Sequence, residues 1–259
     1  MNKKGNRRKE IIKLLQLRNG VTIKELASLF NVSEMTIRRD LTVLESENIV
    51  NLVHGAAIYN PQIDSGKMVK VYNLATAKSK NNEAKNRIGK FAAGLIGSDD
   101  YVIIDSGSTT ERVIPSVALD KKFTLMCYGS NIMMSAISKP NIKLVMGGGD
   151  YHPDTMVFES KQNEDYVAGI RANKCFMSAA GIDEKFGVTC MNTYETGLKK
   201  AVMESSMEKI LLCDSSKFGK VTPAHFAEIT DFNMIITDKD LSEEWQEKIK
   251  DLDIELVMV

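Results

Sequence analysis

The stretch from residue 21 to residue 41 constrains this chain most, because its pattern predicts two short helices joined by a tight turn. The second helix is capped by Ser33 and carries Arg38 and Arg39 beside small polar side chains. Such a pair can place its second helix in the major groove of DNA, where arginines reach guanine edges or phosphates. We therefore expect a DNA-binding module at the start of the chain.

Apolar spacing predicts three helices in the first 50 residues. The first covers residues 7–17 and ends at Asn19-Gly20, where the glycine is expected to supply a left-handed cap. Thr22 and Glu25 form a capping box that starts the second helix. The residues expected to face the core are Ile11, Ile12, Leu14 and Leu15 in the first helix, and Leu26, Leu29 and Phe30 in the second.

The third helix runs to about Asn48, and its N-terminal half is the part expected to enter the groove. Asp40 and Glu45 are expected on its solvent side, away from phosphate. The residues expected to pack inward are Ile37, Leu41 and Leu44.

Two β-prone runs, residues 49–53 and 56–59, follow around a turn that contains glycine, and they predict the hairpin of a winged helix. His54 in this turn is expected to contact a phosphate or to pack there, since no partner ligand for a metal lies near it in sequence. A three-helix protein-interaction module is the alternative interpretation of the whole segment. The side chains expected to touch DNA are Ser33, Met35, Thr36, Arg38, Arg39 and His54.

Charge is distributed unevenly along the chain. Residues 1–60 carry ten Lys or Arg and six Asp or Glu, whereas the whole chain has a formal net charge of zero. A basic N-terminal segment on an otherwise acidic chain favours contact between that segment and a polyanion. Ordinary surface variation produces similar differences, so charge supports the helix pattern without replacing it.

The residues from Ser33 to Leu41, the pair Leu44-Glu45 and the run from Val53 to Ala56 resemble the N-terminal signature of the DeoR family of bacterial transcriptional regulators. The family usually has a second glycine after the His-Gly pair, where this chain has Ala56. The resemblance implies operator binding, usually as a repressor of sugar or polyol catabolic genes.

Composition is ordinary for a soluble globular protein, with 43% hydrophobic and 26% charged residues. The longest apolar runs fall far below the ~18 residues that a membrane span needs, and no apolar signal core follows the basic N-terminus. The four cysteines show no CxxC spacing, which favours free thiols in a reducing compartment. We expect a cytoplasmic protein with no membrane contact, no metal and no cofactor.

Residues 61–80 have little periodicity and predict a linker between a DNA-binding domain at 1–60 and a larger domain at 81–259. The larger domain opens with a helix at 82–96 whose expected core face includes Ile88, Phe91, Ala92 and Leu95. Strands separated by helices then predict an open, largely parallel α/β sheet. The expected strands cover residues 101–105, 123–127, 142–146, 174–178, 209–213, 234–237 and 254–258, with a helix at 242–251 before the last.

Small polar residues follow nearly every predicted strand, at the edge where such sheets bind ligands. The loop Asp105–Thr110 predicts a cradle for one phosphate, because Gly107 lets backbone amides approach an anion and the hydroxyls and a helix N-terminus add to it. No lysine follows in P-loop spacing, so a nucleoside triphosphate site is not expected. Asp105 and Asp183 can accept from sugar hydroxyls. The expected ligand-binding residues are Asp105, Gly107, Ser108, Thr109, Thr110, Asn131, Gly148, Asp183, Glu195 and Lys217.

Plain turn chemistry also enriches these loops in glycine, serine and aspartate, but five such loops at one edge favour a phosphorylated small ligand. Lys217 is the natural cation for a phosphate dianion. Glu195 begins a helical run in which Lys199 or Lys200 could pair with it or add positive potential. A solvated helix face is the alternative for both lysines, and more so for Lys200.

These loops resemble the C-terminal sensor domain of the DeoR family, so the resemblance covers nearly the whole chain. In that family the loops that match Asp105–Thr110 and Asp214–Gly219 line a sugar-phosphate site. The domain is similar in fold to ribose phosphate isomerases and CoA transferases. The resemblance implies an α+β winged helix-turn-helix followed by a larger α/β open-sheet sensor domain. Val188 and Cys190 depart from the family, which more often has Leu and Thr there.

Three functions remain open on this pattern. The first is a repressor whose affinity for double-stranded operator DNA changes with a phosphorylated sugar, acting as a homodimer or homotetramer because operators are usually palindromic. The second is a sugar-phosphate isomerase with an attached DNA-binding module, although Met146 precedes the triple glycine where that reaction's pattern has lysine. The third is a ligand-blind DNA-binding protein, which predicts no thermal shift with any phosphosugar.

Overall fold

The computed structural model describes residues 3–18, 20–47, 49–53, 55–59, 74, 77 and 80–259. Its N-terminal part has three helices and a three-stranded antiparallel sheet of order β1-β3-β2. In chain order the elements are α1 (Lys3–Arg18), β1 (Gly20–Thr22), α2 (Ile23–Leu29), α3 (Glu34–Ser46), β2 (Val50–Val53) and β3 (Ala56–Tyr59).

Both predicted helix caps are confirmed. The backbone N–H of Thr22 donates to Glu25 at 2.8 Å, and the backbone N–H of Glu25 donates to the hydroxyl of Thr22 at 3.2 Å. The hydroxyl of Ser33 accepts from the backbone N–H of Thr36 at 3.3 Å. These side chains satisfy N–H groups that the first turn of a helix leaves without a partner, so the sequence sets where α2 and α3 begin.

The predicted core of this part is mostly confirmed. The fully or nearly fully buried members are Ile11, Leu15, Leu26, Ile37, Leu41 and Leu44. The prediction for Leu29 is wrong, because it is 56% exposed. Ile23, Leu26 and Ala27 form the buried stripe of α2, and Leu29 projects away from it.

The predicted wing is confirmed as the antiparallel pair β2 and β3, with Val50 opposite Tyr59. Gly55 in the turn has φ +81°, a conformation that glycine adopts without strain. The prediction that Gly20 caps a helix is wrong, since it begins β1 and pairs with Ile58. His54 lies outside the described residues.

The C-terminal part contains a seven-stranded sheet whose neighbouring strands are all parallel. The predicted open α/β sheet is therefore confirmed. In chain order its elements begin with α4 (Asn82–Gly94), β4 (Tyr101–Ile104), a 3-10 turn (Thr110–Arg112), α5 (Val113–Ser116), β5 (Phe123–Cys127), α6 (Ser130–Ala136), β6 (Ile142–Met146), β7 (Asp150–His152), β8 (Val157–Glu159), α7 (Lys161–Ala168) and β9 (Ala172–Ser178). They end with β10 (Gly181–Asp183), β11 (Gly187–Cys190), α8 (Tyr194–Ser205), β12 (Ser206–Leu212), a 3-10 turn (Ser215–Lys217), β13 (Ala224–Ala227), a 3-10 turn (Ile229–Asp231), β14 (Met234–Thr237), α9 (Glu243–Asp251) and β15 (Glu255–Met258).

Hydrophobic clusters cover both faces of the large sheet, whose order is β15-β14-β12-β9-β4-β5-β6. Helices α4, α5 and α6 pack on one face, and α7, α8 and α9 contribute to the cluster on the other. Ile88 and Ala92 of α4 are fully buried, as predicted. Phe91 is 39% exposed, so its predicted place in the core is wrong.

Two small β structures were not predicted from sequence. Strands β7 and β8 form an antiparallel hairpin, and β10, β11 and β13 form a second sheet. Both interrupt the alternation of strand and helix, and both lie near the carboxyl edge of the large sheet.

Most of the predicted linker, including residues 60–73, lies outside the described residues, and the domain limits at 60 and 80 stay a prediction. Leu74 is described and is 1% exposed. None of the helices in the described part of the chain has the length and hydrophobicity that a bilayer crossing requires.

Candidate nucleic-acid interface and ligand pocket

The outward side of α3 carries the predicted DNA-contacting residues, and we call α3 the recognition helix. Arg38, Arg39 and Ser33 are exposed, and Met35 is 60% exposed, although a large apolar side chain usually prefers burial. Thr36 is half-buried, with its hydroxyl 2.9 Å from that of Ser33. The residues are therefore brought together on one surface, and their contact with DNA stays a prediction.

The prediction that Asp40 lies on the solvent side is wrong. Asp40 is 2% exposed, and its two carboxylate oxygens accept from Nε of Arg7 at 2.6 Å and from Nε of Arg8 at 3.0 Å. The two arginines come from α1, 33 and 32 residues upstream. Periodicity within one helix cannot reveal a partner on another helix, so sequence reasoning missed this contact.

The candidate ligand pocket lies at the carboxyl ends of β4, β9 and β12, which are neighbours at the centre of the sheet. The chain adds β5 and β6 on one side of β4 and then crosses to β9 on the other. Loops leave the sheet in opposite directions at such a switch point, and this opens a crevice. Five of the ten predicted ligand-binding residues line it: Gly107, Ser108, Thr109, Glu195 and Lys217.

The loop after β4 presents free donors to this pocket. Within the described residues, the backbone N–H groups of Gly107, Ser108 and Thr109 donate to no protein acceptor. The hydroxyls of Ser108 and Thr109 donate to none there either. A Cβ at position 107 would lie 2.5 Å from Cβ of Ser178, so only glycine fits there. Successive free N–H groups form a concave anion site. The helix that follows is a 3-10 turn and four α-helical residues, too short for the dipole contribution predicted from sequence.

Lys217 and Glu195 are two ionisable side chains that line the pocket. The ammonium of Lys217 makes no ion pair or hydrogen bond with any residue in the described ranges, so it is available to an anion. Glu195 is 9% exposed and accepts from Asn192 at 3.0 Å. Burial raises the pKa of Glu195, and Lys199 opposes that rise.

Asp105 requires a correction, because its oxygens are already occupied. It is fully buried and accepts from the hydroxyl of Tyr128 at 2.6 Å, from the N–H and hydroxyl of Ser178 at 2.9 and 2.6 Å, and from the ammonium of Lys199. Because the side chain is fully buried, neither oxygen is exposed to a sugar hydroxyl. Burial alone would lower the pKa of Lys199, but Asp105 and Glu195 outweigh it and keep that lysine charged.

Thr110 and Asn131 also act within the protein. Thr110 is fully buried, and its hydroxyl donates to the carbonyls of Asp105 and Gly107 at 2.7 and 3.1 Å. Asn131 accepts from the hydroxyl of Ser106 at 2.9 Å. Neither side chain lines the pocket, and both instead hold the shape of the loop that does.

Gly148 and Asp183 lie away from the pocket lining. The carbonyl of Gly148 accepts from the hydroxyl of Ser160 at 2.9 Å, next to the β7–β8 hairpin. Asp183 accepts from two backbone N–H groups of its own turn at 2.9 and 3.1 Å. Both residues take part in turn hydrogen bonds, and their roles as ligand contacts stay a prediction.

Several lining residues were missed. Ser178 is the last residue of β9, and this position at the carboxyl end of a strand could have indicated its place in the pocket. Lys199 was considered only as one of two lysines on a helix face. Thr155 enters from the unpredicted hairpin, where its carbonyl accepts from the hydroxyl of Ser106 at 2.8 Å. No sequence signal indicates that contact. The lining residues that were not predicted are Leu74, Ser106, Thr155, Ser178, Ala179, Ala180, Cys190, Met191 and Lys199.

The pocket has a volume of about 470 Å³, part of which is open to solvent. Small-molecule sites span roughly 300–1,000 Å³, so a phosphosugar is compatible with this volume. In the described part of the chain no cluster of His, Cys, Asp or Glu could hold a metal ion.

A winged helix-turn-helix joined to an α/β module with an anion pocket defines a class: a transcriptional regulator that carries a sensor module. The model of the DeoR-like helix-turn-helix domain matches residues 7–62, and that of the DeoR C terminal sensor domain matches residues 80–239. The chain belongs to the DeoR family of transcriptional regulators.

Curated relatives resemble this chain over most of its length. The deoxyribose operon repressor of Escherichia coli K12 is 31% identical over 229 residues, 88% of each chain. The HTH-type transcriptional regulator GolR of Listeria innocua is 29% identical over 245 residues, 95% of this chain and 94% of its own. The HTH-type transcriptional regulator IolR of Bacillus subtilis is 30% identical over 225 residues, 87% of each.

Solved structures resemble only part of the chain. Ribose 5-phosphate isomerase A of Methanocaldococcus jannaschii covers 54% of it at 18% identity and a TM-score of 0.39, and 55% of that protein is matched. The eIF2B beta subunit of Chaetomium thermophilum covers 55% at 20% identity and a TM-score of 0.41, with 41% of that protein matched. The chain thus spans about half the length of these structures, a likeness too distant to bear on function.

Proposed function

We propose that this protein represses a sugar or polyol catabolic operon, and that a phosphorylated sugar in the C-terminal pocket controls its affinity for double-stranded operator DNA. The observation that carries the proposal is a set of donors in one pocket that have no acceptor among the described residues: the N–H groups of Gly107, Ser108 and Thr109, and the ammonium of Lys217. A phosphate dianion accepts from all of these donors at once.

The rest of the pocket suits the sugar. Glu195 also lines the pocket, and a carboxyl whose pKa is raised by burial can exchange hydrogen bonds with sugar hydroxyls. Cys190 and Met191 supply apolar surface for the carbon skeleton. The relative named as a deoxyribose operon repressor supports a carbohydrate effector.

Control of DNA binding requires that the ligand prefer one arrangement of the protein, since equal affinity for both would shift nothing. We infer that contacts of the phosphosugar with Lys217 and with the loop after β4 are made fully in only one of the two arrangements, and this supplies the difference between them. We infer a homodimer or homotetramer in the cytoplasm that binds a two-fold symmetric operator.

An isomerase is the rival function, and we propose that the protein is not an enzyme. The matched relatives are named as regulators. Lys199, which lines the pocket, is bound to the buried carboxylate of Asp105, so neither group is available to move a substrate proton. Incubation with pentose and hexose phosphates should leave each sugar unchanged, and turnover of any of them would favour the enzyme.

The direct test is a panel of phosphosugars screened by melting temperature. One member at ~100 times its dissociation constant is expected to stabilise the protein by about 2.7 kcal/mol. The same compound, and not its unphosphorylated sugar, should then change the affinity for duplex DNA. If no member of a broad panel shifts the melting temperature, the protein is better explained as a DNA-binding protein that does not respond to a ligand.

Substitution Lys217→Ala is expected to weaken binding of that phosphosugar by about 10- to 150-fold, the loss of one charge-assisted contact worth about 1.5–3 kcal/mol. Affinity for DNA without ligand should stay unchanged. Isothermal titration of the phosphosugar measures the effect. Lys200→Ala is the matched control, because Lys200 is exposed on α8 and does not line the pocket. Equal losses in both variants would contradict a specific role for Lys217.

A further inference from the structure

One carboxylate holds two arginines beside the recognition helix. Asp40 lies four residues after Thr36, on the next turn of the same side of α3, about 6 Å further along the axis. Its two oxygens bind Nε of Arg7 and Nε of Arg8, one each. The two guanidinium groups are thus fixed next to the half of α3 that carries the predicted DNA contacts.

The charges in this cluster do not balance. One carboxylate faces two guanidinium groups, so one positive charge is left over. In the described part of the chain the remaining nitrogens of Arg7 and Arg8 have no acceptor, and the side chains are only 18% and 31% exposed. Partly buried charge is costly unless it is paired, so the one net positive charge of the cluster favours a further anion beside it.

We propose that Arg7 and Arg8 bind phosphate groups of the DNA backbone and that Asp40 positions them for it. This deepens the DNA-binding function and rests on it. Each arginine uses Nε for Asp40 and keeps both terminal nitrogens for a phosphate oxygen. Contacts of this kind set the position of a protein on the duplex without reading its sequence.

The competing explanation is a purely structural clamp between α1 and α3. Buried ion pairs are weak contributors to stability compared with apolar packing, so stability alone does not explain why one carboxylate binds two arginines here. The two explanations differ in one measurable quantity, the dependence of DNA affinity on salt. Each phosphate contact contributes about 0.9 to the slope of log affinity against log salt concentration.

The first experiment uses the full chain and a duplex enriched from a random-sequence library by the unaltered protein. Arg7→Gln and Arg8→Gln are each expected to reduce the salt slope by about 0.9. Lys13→Gln is the matched control, since it removes one exposed charge from α1 on the side away from the core and should leave the slope unchanged. Each arginine variant leaves Asp40 one partner, and circular dichroism confirms folding.

The second experiment separates positioning from charge. Asp40→Asn removes a negative charge close to the expected phosphates, which by charge alone should strengthen DNA binding. If Asp40 positions the arginines, affinity instead falls several-fold. Glu47→Gln is the control, because Glu47 is exposed at the end of the same helix, and it should leave affinity unchanged or slightly increased.

The inference is overturned if the arginine variants keep the native salt slope and lose only thermal stability, or if Asp40→Asn binds DNA more tightly. If a single arginine variant fails to fold, Arg7→Gln combined with Asp40→Asn is compared with Asp40→Asn alone, and an unchanged slope then has the same consequence. Failure of the unaltered protein to enrich or bind any duplex would instead reject DNA binding itself.

Discussion

Replacing Arg38 and Arg39 together with alanine is expected to abolish specific DNA binding while the fold is retained. Both side chains are exposed on the recognition helix and make no hydrogen bond or ion pair with a residue in the described ranges. An arginine that binds a base pair through two hydrogen bonds contributes about 1–3 kcal/mol of discrimination. Loss of two such contacts corresponds to a decrease of roughly 30-fold to 2 × 10⁴-fold in affinity for the selected site.

The measurement compares the variant and the native protein on the enriched duplex and on an unrelated duplex of equal length. Affinity for the enriched duplex should fall to the level of the unrelated one, because the discrimination lies in the base contacts. Lys24→Ala is the control, an exposed cation on α2. A double variant that still distinguishes the two duplexes would show that another surface reads the sequence.

Most of the correct predictions rest on short sequence patterns, namely helix caps and apolar runs. Ser33 and the pair Thr22 and Glu25 satisfy the N–H groups of the next turn, so their effect is complete within four residues. The strands of the large sheet are apolar runs bounded by helices, and their order along the chain already predicted a parallel sheet. The position of the pocket then followed from the rule for carboxyl ends of strands.

Contacts between distant elements account for the errors. The periodicity of α3 predicts that Asp40 is exposed to solvent, but the packing of α1, which supplies Arg7 and Arg8, buries it. Asp105 looks like a ligand acceptor until Lys199, 94 residues downstream, is seen to bind it. Polar residues at a strand end serve either a ligand or the loop itself, and a sequence cannot separate the two uses without knowing which partners fold against them.

Replacing Lys199 with methionine is expected to be the most damaging single change to the C-terminal part. Lys199 is 2% exposed and its ammonium binds fully buried Asp105. Methionine fills a similar volume but leaves the carboxylate without its cation in an apolar setting. Breaking a buried pair in this way costs about 3–5 kcal/mol, a large fraction of the roughly 5–15 kcal/mol that holds a domain folded.

The second variant isolates the cause. Adding Asp105→Asn to Lys199→Met removes the unpaired charge, and an asparagine can still accept from Ser178 and donate to the hydroxyl of Tyr128. The double variant should therefore be more stable than Lys199→Met alone. Unfolding in denaturant is followed through Trp245, the one tryptophan of the chain, which packs 5.3 Å from the ring of Phe218.

Lys200→Met is the matched control for this pair, because the next lysine on α8 is exposed and its loss should change stability by no more than about 0.5 kcal/mol. A Lys199→Met variant as stable as Lys200→Met would show that Asp105 does not depend on that cation. A double variant no more stable than Lys199→Met would assign the loss to packing. The ion pair is supported only if Lys200→Met is the most stable of the variants, Lys199→Met is the least stable, and the double variant is more stable than Lys199→Met. That order means that the pair of Lys199 and Asp105 holds the loop of Gly107 in place for an anion.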